Sequence, residues 1–123
     1  MIAGAHTLIY AEDADAARAF LRDVLGFSSV DAGGGWLIFD LPPGELAVHP
    51  GPGSGHEVGD HELAFMCHDI EGTVAELKEK GVEFTAPVTQ ESYGLITRFR
   101  VPGAGEIGLY EPRHQSPLAE FSS

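Results

Sequence analysis

The chain has little cysteine, no long apolar segment and few basic residues. Its 123 residues contain one cysteine, Cys67, so no internal disulfide is expected, and a buried, inert thiol is predicted there. No segment approaches the ~18 apolar residues of a membrane-spanning helix. Lys and Arg number 7 against 19 Asp and Glu, for a formal charge of −12. Because nucleic acids and anionic membranes are bound through basic patches, neither is an expected partner. The opening residues lack a basic stretch followed by an apolar one, which predicts a cytoplasmic protein.

The chain does contain an internal repeat of about sixty residues. The first copy begins at Ala5 with AHTLIYAEDADAARAFLRDVLGF, and the second begins at His61 with HELAFMCHDIEGTVAELKEKGVEF. The closing segments GELAVH (44–49) and GEIGLY (105–110) also correspond. Since the unit is too long for a solenoid repeat, we interpret the copies as two halves of one domain, 1–123. Its parts are module 1 at about 5–50, a linker at about 51–60, module 2 at about 61–112 and a tail at 113–123.

Each module is predicted to have the order β-α-β-β-β. The helices begin after Asp13 or Asp15 and after Asp69, and they end at Gly26 and Gly81. The predicted strands of module 1 are 5–10, 27–30, 36–41 and 45–49. Those of module 2 are 62–67, 82–85, 95–101 and 106–110. The tail is expected to be loosely ordered, and His114 within it is expected to face solvent.

Alternation along these strands separates a face covered by helices from an open face. The covered face is predicted to hold Leu46, Val48, Ile107 and Leu109. The open face combines aromatic, histidine, arginine and carboxylate side chains, a composition that suits a small-molecule pocket. Its predicted members are His6, Leu8, Tyr10, Trp36, Ile38, Asp40, Ala47, His49, Glu62, Ala64, Met66, Ile96, Arg98, Arg100, Gly108 and Tyr110.

The paired modules, together with the phrases HELAFMCHDI and GEIGLYEP, resemble the vicinal oxygen chelate superfamily. This superfamily includes glyoxalase I, bleomycin resistance proteins and extradiol dioxygenases. The resemblance covers about 5–113 and implies an α+β fold in which two tandem βαβββ modules form a curved mixed sheet with a concave cavity. In metal-dependent members, the ligands of one divalent ion come from the first, fourth, fifth and eighth strands.

Those ligand positions fall on His6, Ala47, Glu62 and Gly108. Imidazole and carboxylate groups bind divalent ions, whereas Ala and Gly have no side-chain donor, so two ligands of the usual set are missing. His49 lies two residues beyond Ala47 on the same strand face and would bind at a shifted centre. The alternative for His6 and Glu62 is a hydrogen-bonded or ion-paired couple within a pocket.

Two functional hypotheses follow, and they leave open whether the chain is an enzyme. The first is a metal-independent small-molecule-binding protein that sequesters an antibiotic or aromatic metabolite. Its ligand contacts are predicted to come from Tyr10, Trp36, Ile38, His49, Arg98 and Tyr110. The second is a lyase, isomerase or dioxygenase that holds Zn, Ni, Mn or Fe through His6, Glu62 and His49. The cofactor is therefore none or one divalent ion, and no catalytic residue is assigned.

Uncovered apolar residues predict self-association. Trp36, Ile38 and Ile96 fall on the open face, where no helix of the same chain covers them. A homodimer is expected to complete their burial.

Overall fold

The computed structural model describes residue 1, residues 6–48 and residues 50–121. Helix α1 spans Ala14–Asp23 and helix α2 spans Ile70–Glu79. The strands are β1 (Ser29–Asp31), β2 (Leu37–Phe39), β3 (Ala64–Met66), β4 (Thr89–Glu91), β5 (Gly94–Arg100) and β6 (Glu106–Pro112). A short 3-10 helix covers Ala119–Phe121 in the tail. No helix in the described part of the chain is both long enough and apolar enough to cross a membrane.

Both helices begin directly after aspartates that the sequence predicts as caps, and each ends shortly before the glycine that is predicted to stop it. The Asp13 carboxylate accepts a hydrogen bond from the Ala16 N–H at 3.0 Å, and Asp69 accepts one from Gly72 at 3.2 Å. These aspartates satisfy backbone donors that have no partner within the first helical turn. Gly26 and Gly81 follow the helices at φ +74° and +87°, a conformation that ends helices and that glycine adopts without strain.

Module 2 forms a four-stranded mixed sheet in the order β3-β6-β5-β4. Strand β3 runs parallel to β6, with Ala64 opposite Gly108 and Met66 opposite Tyr110. Strand β5 is antiparallel to both β6 and β4. In module 1, β1 and β2 form a separate antiparallel hairpin. The predicted α+β fold is confirmed.

The hydrophobic core lies between the four-stranded sheet and the two helices. Ile107 and Leu109 are buried, as strand alternation predicts. From α1, Phe20 packs its ring 6.2 Å from that of Phe99 on β5. Helix α1 therefore contributes to the core of module 2. The full set of buried apolar residues is Ala17, Phe20, Ile70, Val82, Phe99, Val101, Ile107 and Leu109.

Module 1 departs from the prediction at its outer strands. Residues 6–10 and 45–48 belong to no strand, and the remaining predicted positions, Ala5 and His49, lie outside the described residues. Leu46 and Val48 are each 93% exposed, so their assignment to a covered face is wrong for the single chain. The physical reason is the position of α1. This helix packs on the sheet of module 2, so it does not cover residues 6–10 and 45–48 of module 1.

Candidate functional site

Arg98 on β5 is the centre of a charged cluster on the open face of the four-stranded sheet. Its Nη1 donates to Oε1 of Glu62 at 2.7 Å, and its Nε lies 3.8 Å from Oε1 of Glu106 on β6. Thr85 donates its hydroxyl hydrogen to the same Glu106 oxygen. Arg98 and Gly108 are cross-strand partners, so the register of β5 and β6 places the guanidinium beside a residue without a side chain.

The Arg98 cluster remains accessible to solvent and carries a net negative charge. Two carboxylates face one guanidinium, and the side chains of Arg98 and Glu62 are 38% and 50% exposed. Pairs with this exposure contribute only about 0–1 kcal/mol to stability. A guanidinium has several N–H donors in a fixed plane, so Arg98 retains donors for ligand oxygens while it holds Glu62.

Tyr110 lies further along the same face of β6. Its hydroxyl donates to the Tyr93 carbonyl at 3.0 Å, and the two rings are 5.9 Å apart. Burial, together with the charge of Glu45, raises the pKa of the Tyr110 phenol above its ordinary value. The phenol is therefore protonated at neutral pH and acts as a hydrogen-bond donor beside an aromatic surface.

Residues 113–121 of the tail are anchored next to Tyr110, so the expectation of loose order is wrong for this part of the tail. Ser116 is buried and donates to Glu45 at 2.6 Å, and His114 Nε2 lies 3.2 Å from the other Glu45 oxygen. The His114 ring lies 5.7 Å from the Tyr110 ring. His114 is therefore half-buried and does not face solvent as expected. Sequence reasoning missed this contact because Glu45 and Ser116 are 71 residues apart and share no motif.

The structure does not unite the five predicted ligand contacts that lie among its described residues. Arg98 and Tyr110 share the open face of one sheet, whereas Trp36 and Ile38 belong to the separate hairpin region. Trp36 is 53% exposed. Tyr10 is mostly exposed and lines an open cavity of about 490 Å³ together with Glu12 and Arg100. The remaining residue, His49, lies outside the described residues.

The described residues do not fit a metal ion held in the superfamily's usual manner. One oxygen of Glu62 is engaged by Arg98. At the eighth-strand position, a Cβ on Gly108 would lie 3.0 Å from the Cβ of Ala64, so a donor side chain there requires Ala64 to move. Within 6–48 and 50–121, no three His, Cys, Asp or Glu side chains are grouped to hold an ion. The predicted set of His6, Glu62 and His49 includes a residue outside these ranges.

The family assignment follows from sequence comparison. The model of the Glyoxalase/Bleomycin resistance protein/Dioxygenase superfamily matches residues 4–112. The chain belongs to this superfamily, as the repeated modules and strand phrases predict.

Individual relatives are distant. The protein YetH of Bacillus subtilis (strain 168) is 29% identical over 101 residues, covering 75% of this chain and 83% of YetH. The structure of TnmS3, an antibiotic-binding protein from Streptomyces sp. CB03234, is 22% identical with a TM-score of 0.58, covering 91% of this chain and 99% of that one. The lactoylglutathione lyase of Agrobacterium tumefaciens is 21% identical with a TM-score of 0.62, covering 85% and 90% of the two chains. These two structures support the fold.

Proposed function

We propose that this protein binds a small molecule without a metal ion, on the open face of the four-stranded sheet. The observation that carries the proposal is the Arg98–Glu62 pair at 2.7 Å. The Arg98 guanidinium binds the Glu62 carboxylate, which lies at a position where metal-dependent members of the family have a metal ligand. Small residues at Ala64 and Gly108 leave the neighbouring sheet surface free of donor side chains.

The chemistry of this face favours a ligand that combines an aromatic ring with oxygen acceptors. Tyr93 and Tyr110 provide ring surfaces, and aromatic pairs prefer offset or edge contacts. Arg98 supplies charge-assisted donors for carbonyl, phenolate or carboxylate oxygens. The antibiotic-binding activity named for TnmS3 supports antibiotics as the first class of ligands to test. The proposed function is sequestration of an antibiotic or aromatic metabolite.

The test is calorimetric titration with a panel of antibiotics and aromatic metabolites in the presence of EDTA, with the fluorescence of Trp36, the single tryptophan, as a second signal. Arg98→Ala is expected to weaken binding by about 10- to 100-fold, since a hydrogen bond to a charged group contributes ~1.5–3 kcal/mol. Arg22→Ala is the control, because Arg22 lies on helix α1 and its guanidinium pairs with Asp23 at 2.7 Å. Binding that EDTA abolishes, or equal losses in both variants, would contradict the proposal.

One observation favours a second function, a lyase, isomerase or dioxygenase with a divalent ion. Only Oε1 of Glu62 is engaged by Arg98, so Oε2 is available to join His6 and His49 as a metal ligand. Zn, Ni, Mn and Fe all accept imidazole and carboxylate donors. Elemental analysis of protein purified without added metal distinguishes the two functions. Stoichiometric metal that His6→Ala and Glu62→Ala both remove would establish the second function and overturn the first.

A further inference from the structure

We propose that His114 in the tail is a further ligand-contacting residue, which selects ligands with fused or linked aromatic rings. The inference rests on the proposed function of the open face and adds a contact from outside the superfamily pattern, because the match to that pattern ends at residue 112. His114 lies beyond the match, so no position of the paired modules corresponds to it.

The His114 ring continues an aromatic surface centred on Tyr110. The Tyr110 ring lies 5.9 Å from that of Tyr93, in the turn before β5, and 5.7 Å from that of His114. Arg98 lies on the same sheet face opposite Gly108, which precedes Tyr110 by two residues on β6. Two residues along a strand span about 7 Å, so one small molecule can contact both the guanidinium and the rings. A ligand with more than one ring buries more apolar area on this surface than a single ring does.

The imidazole of His114 is oriented so that it offers a ligand its ring. Its Nδ1 lies 2.9 Å from the Gln115 carbonyl oxygen, and its Nε2 lies 3.2 Å from Oε1 of Glu45. Both ring nitrogens therefore have polar partners within the chain. The side chain is nevertheless 34% exposed, and it lies beside the Tyr110 ring. The contact available to a ligand is thus aromatic stacking rather than a new hydrogen bond.

The backbone on both sides of His114 is held in place. Before it, the Arg113 N–H donates to the Tyr93 carbonyl at 2.9 Å. After it, Ser116 is buried and donates to Oε2 of Glu45 at 2.6 Å. Glu45 thereby positions His114 through both of its oxygens. A ring that is already held in place loses little conformational freedom when a ligand stacks on it, which favours affinity.

The far end of the tail is anchored as well. The Phe121 ring stacks on that of His68, with centroids 4.4 Å apart and planes 11° apart. His68 follows β3, whereas the tail leaves the end of β6. Because β3 and β6 are parallel, both strands end at the same edge of the sheet. The tail therefore crosses this edge between two attachments, and His114 lies between them.

A fluorescence titration with anilinonaphthalene sulfonate in the presence of EDTA tests the inference. This probe combines fused and linked aromatic rings with sulfonate oxygens for Arg98. Arg98→Ala is expected to weaken probe binding about 10-fold or more. His114→Ala is expected to weaken it about 2- to 10-fold, the range for one aromatic contact. His56→Ala removes an exposed histidine of the linker and is expected to match the parent.

Two further variants separate the ring of His114 from its contact with Glu45. His114→Phe keeps a ring beside Tyr110 and is expected to bind the probe within about 2-fold of the parent. His114→Gln keeps a hydrogen-bond donor for Glu45 without the ring, and it is expected to lose as much affinity as His114→Ala. If His114 only anchors the tail, the two variants should show the reverse order.

Proton NMR gives a direct readout of the contact. The imidazole C–H signals of His114, assigned by their loss in His114→Gln, are expected to shift during the titration because probe rings stack on them. Probe binding that depends on Arg98 but leaves these signals in place, or that His114→Ala does not weaken, would overturn this inference alone. Recovery in His114→Gln, or a full loss in His114→Phe, would also overturn it. Absence of probe binding, or binding that Arg98→Ala leaves unchanged, would contradict the proposed function and this inference with it.

Discussion

The two modules share a sequence pattern but differ in how far their sheets are formed. Module 2 has a helix, a paired first strand and a buried last strand. Module 1 has the helix and a two-stranded hairpin, while its first and last predicted strands remain unpaired in the described residues. The pattern specifies which residues are apolar in each strand. Whether a strand forms depends on a neighbouring edge and a covering helix, and in this chain both helices pack on one sheet.

The largest expected effect concerns helix α1, which belongs to module 1 by sequence and to module 2 by packing. Phe20→Ala removes a ring that is 7% exposed and lies 6.2 Å from the Phe99 ring. The variant is expected to lower the free energy of unfolding by about 3–5 kcal/mol, the cost of a large core cavity. Urea denaturation measures the effect. Val30→Ala, at a mostly exposed position in β1, is the control and is expected to change stability by less than ~0.5 kcal/mol. Equal effects would mean that α1 is not docked on the second sheet.

Substitution of corresponding residues compares the modules directly. Leu109→Ala is expected to cost about 2–5 kcal/mol, because the side chain is buried in the core. Val48→Ala, at the corresponding position, is expected to cost less than ~0.5 kcal/mol, because this side chain is 93% exposed. Urea denaturation of the two variants tests both statements. A large cost for Val48→Ala would show that the residue is buried in solution.

The sequence predicted those features that depend on local chemistry. Asp13 and Asp69 cap the helices and Gly26 and Gly81 follow their ends because caps need only neighbouring backbone groups. Ile107 and Leu109 are buried because alternation reflects strand geometry. The same alternation predicted that Leu46 and Val48 are buried, but both are exposed. Alternation shows which side chains share a face of a strand, and it does not show whether another element packs on that face. The contact of Glu45 with Ser116 and His114 depends on tertiary structure alone, and no spacing indicates it.

The helix caps provide a comparison with a smaller effect. Asp13→Ala and Asp69→Ala each remove the acceptor for one backbone N–H of the first turn. Loss of such a cap costs typically about 1 kcal/mol. Asp69→Ala is expected to lower the free energy of unfolding by this whole amount, because α2 begins in the core at Ile70. A similar cost for Asp13→Ala would show that α1 unfolds together with the rest of the protein. Urea midpoints measure both, with Asp15→Ala as a control for loss of negative charge in the first turn.

Cys67, one residue beyond β3, has the smallest expected effect on stability near neutral pH. The reactivity of its thiol reports on packing in module 2. Burial raises the pKa of its thiol to about 11 from 9.0. A group whose folded-state pKa is raised favours the folded state below its unfolded pKa. Stability from Cys67 is therefore constant near neutral pH and is lost as pH rises from 9.0 toward about 11.

At pH ~8, the lower thiolate fraction of Cys67 should slow its reaction with a disulfide reagent about 100-fold relative to unfolded protein. Val58→Cys in a Cys67→Ser background provides an exposed reference thiol in the linker. If Cys67 reacts in the native protein as fast as that reference, the β3 end of module 2 is open to solvent, and the contrast between the modules is smaller than the structure indicates.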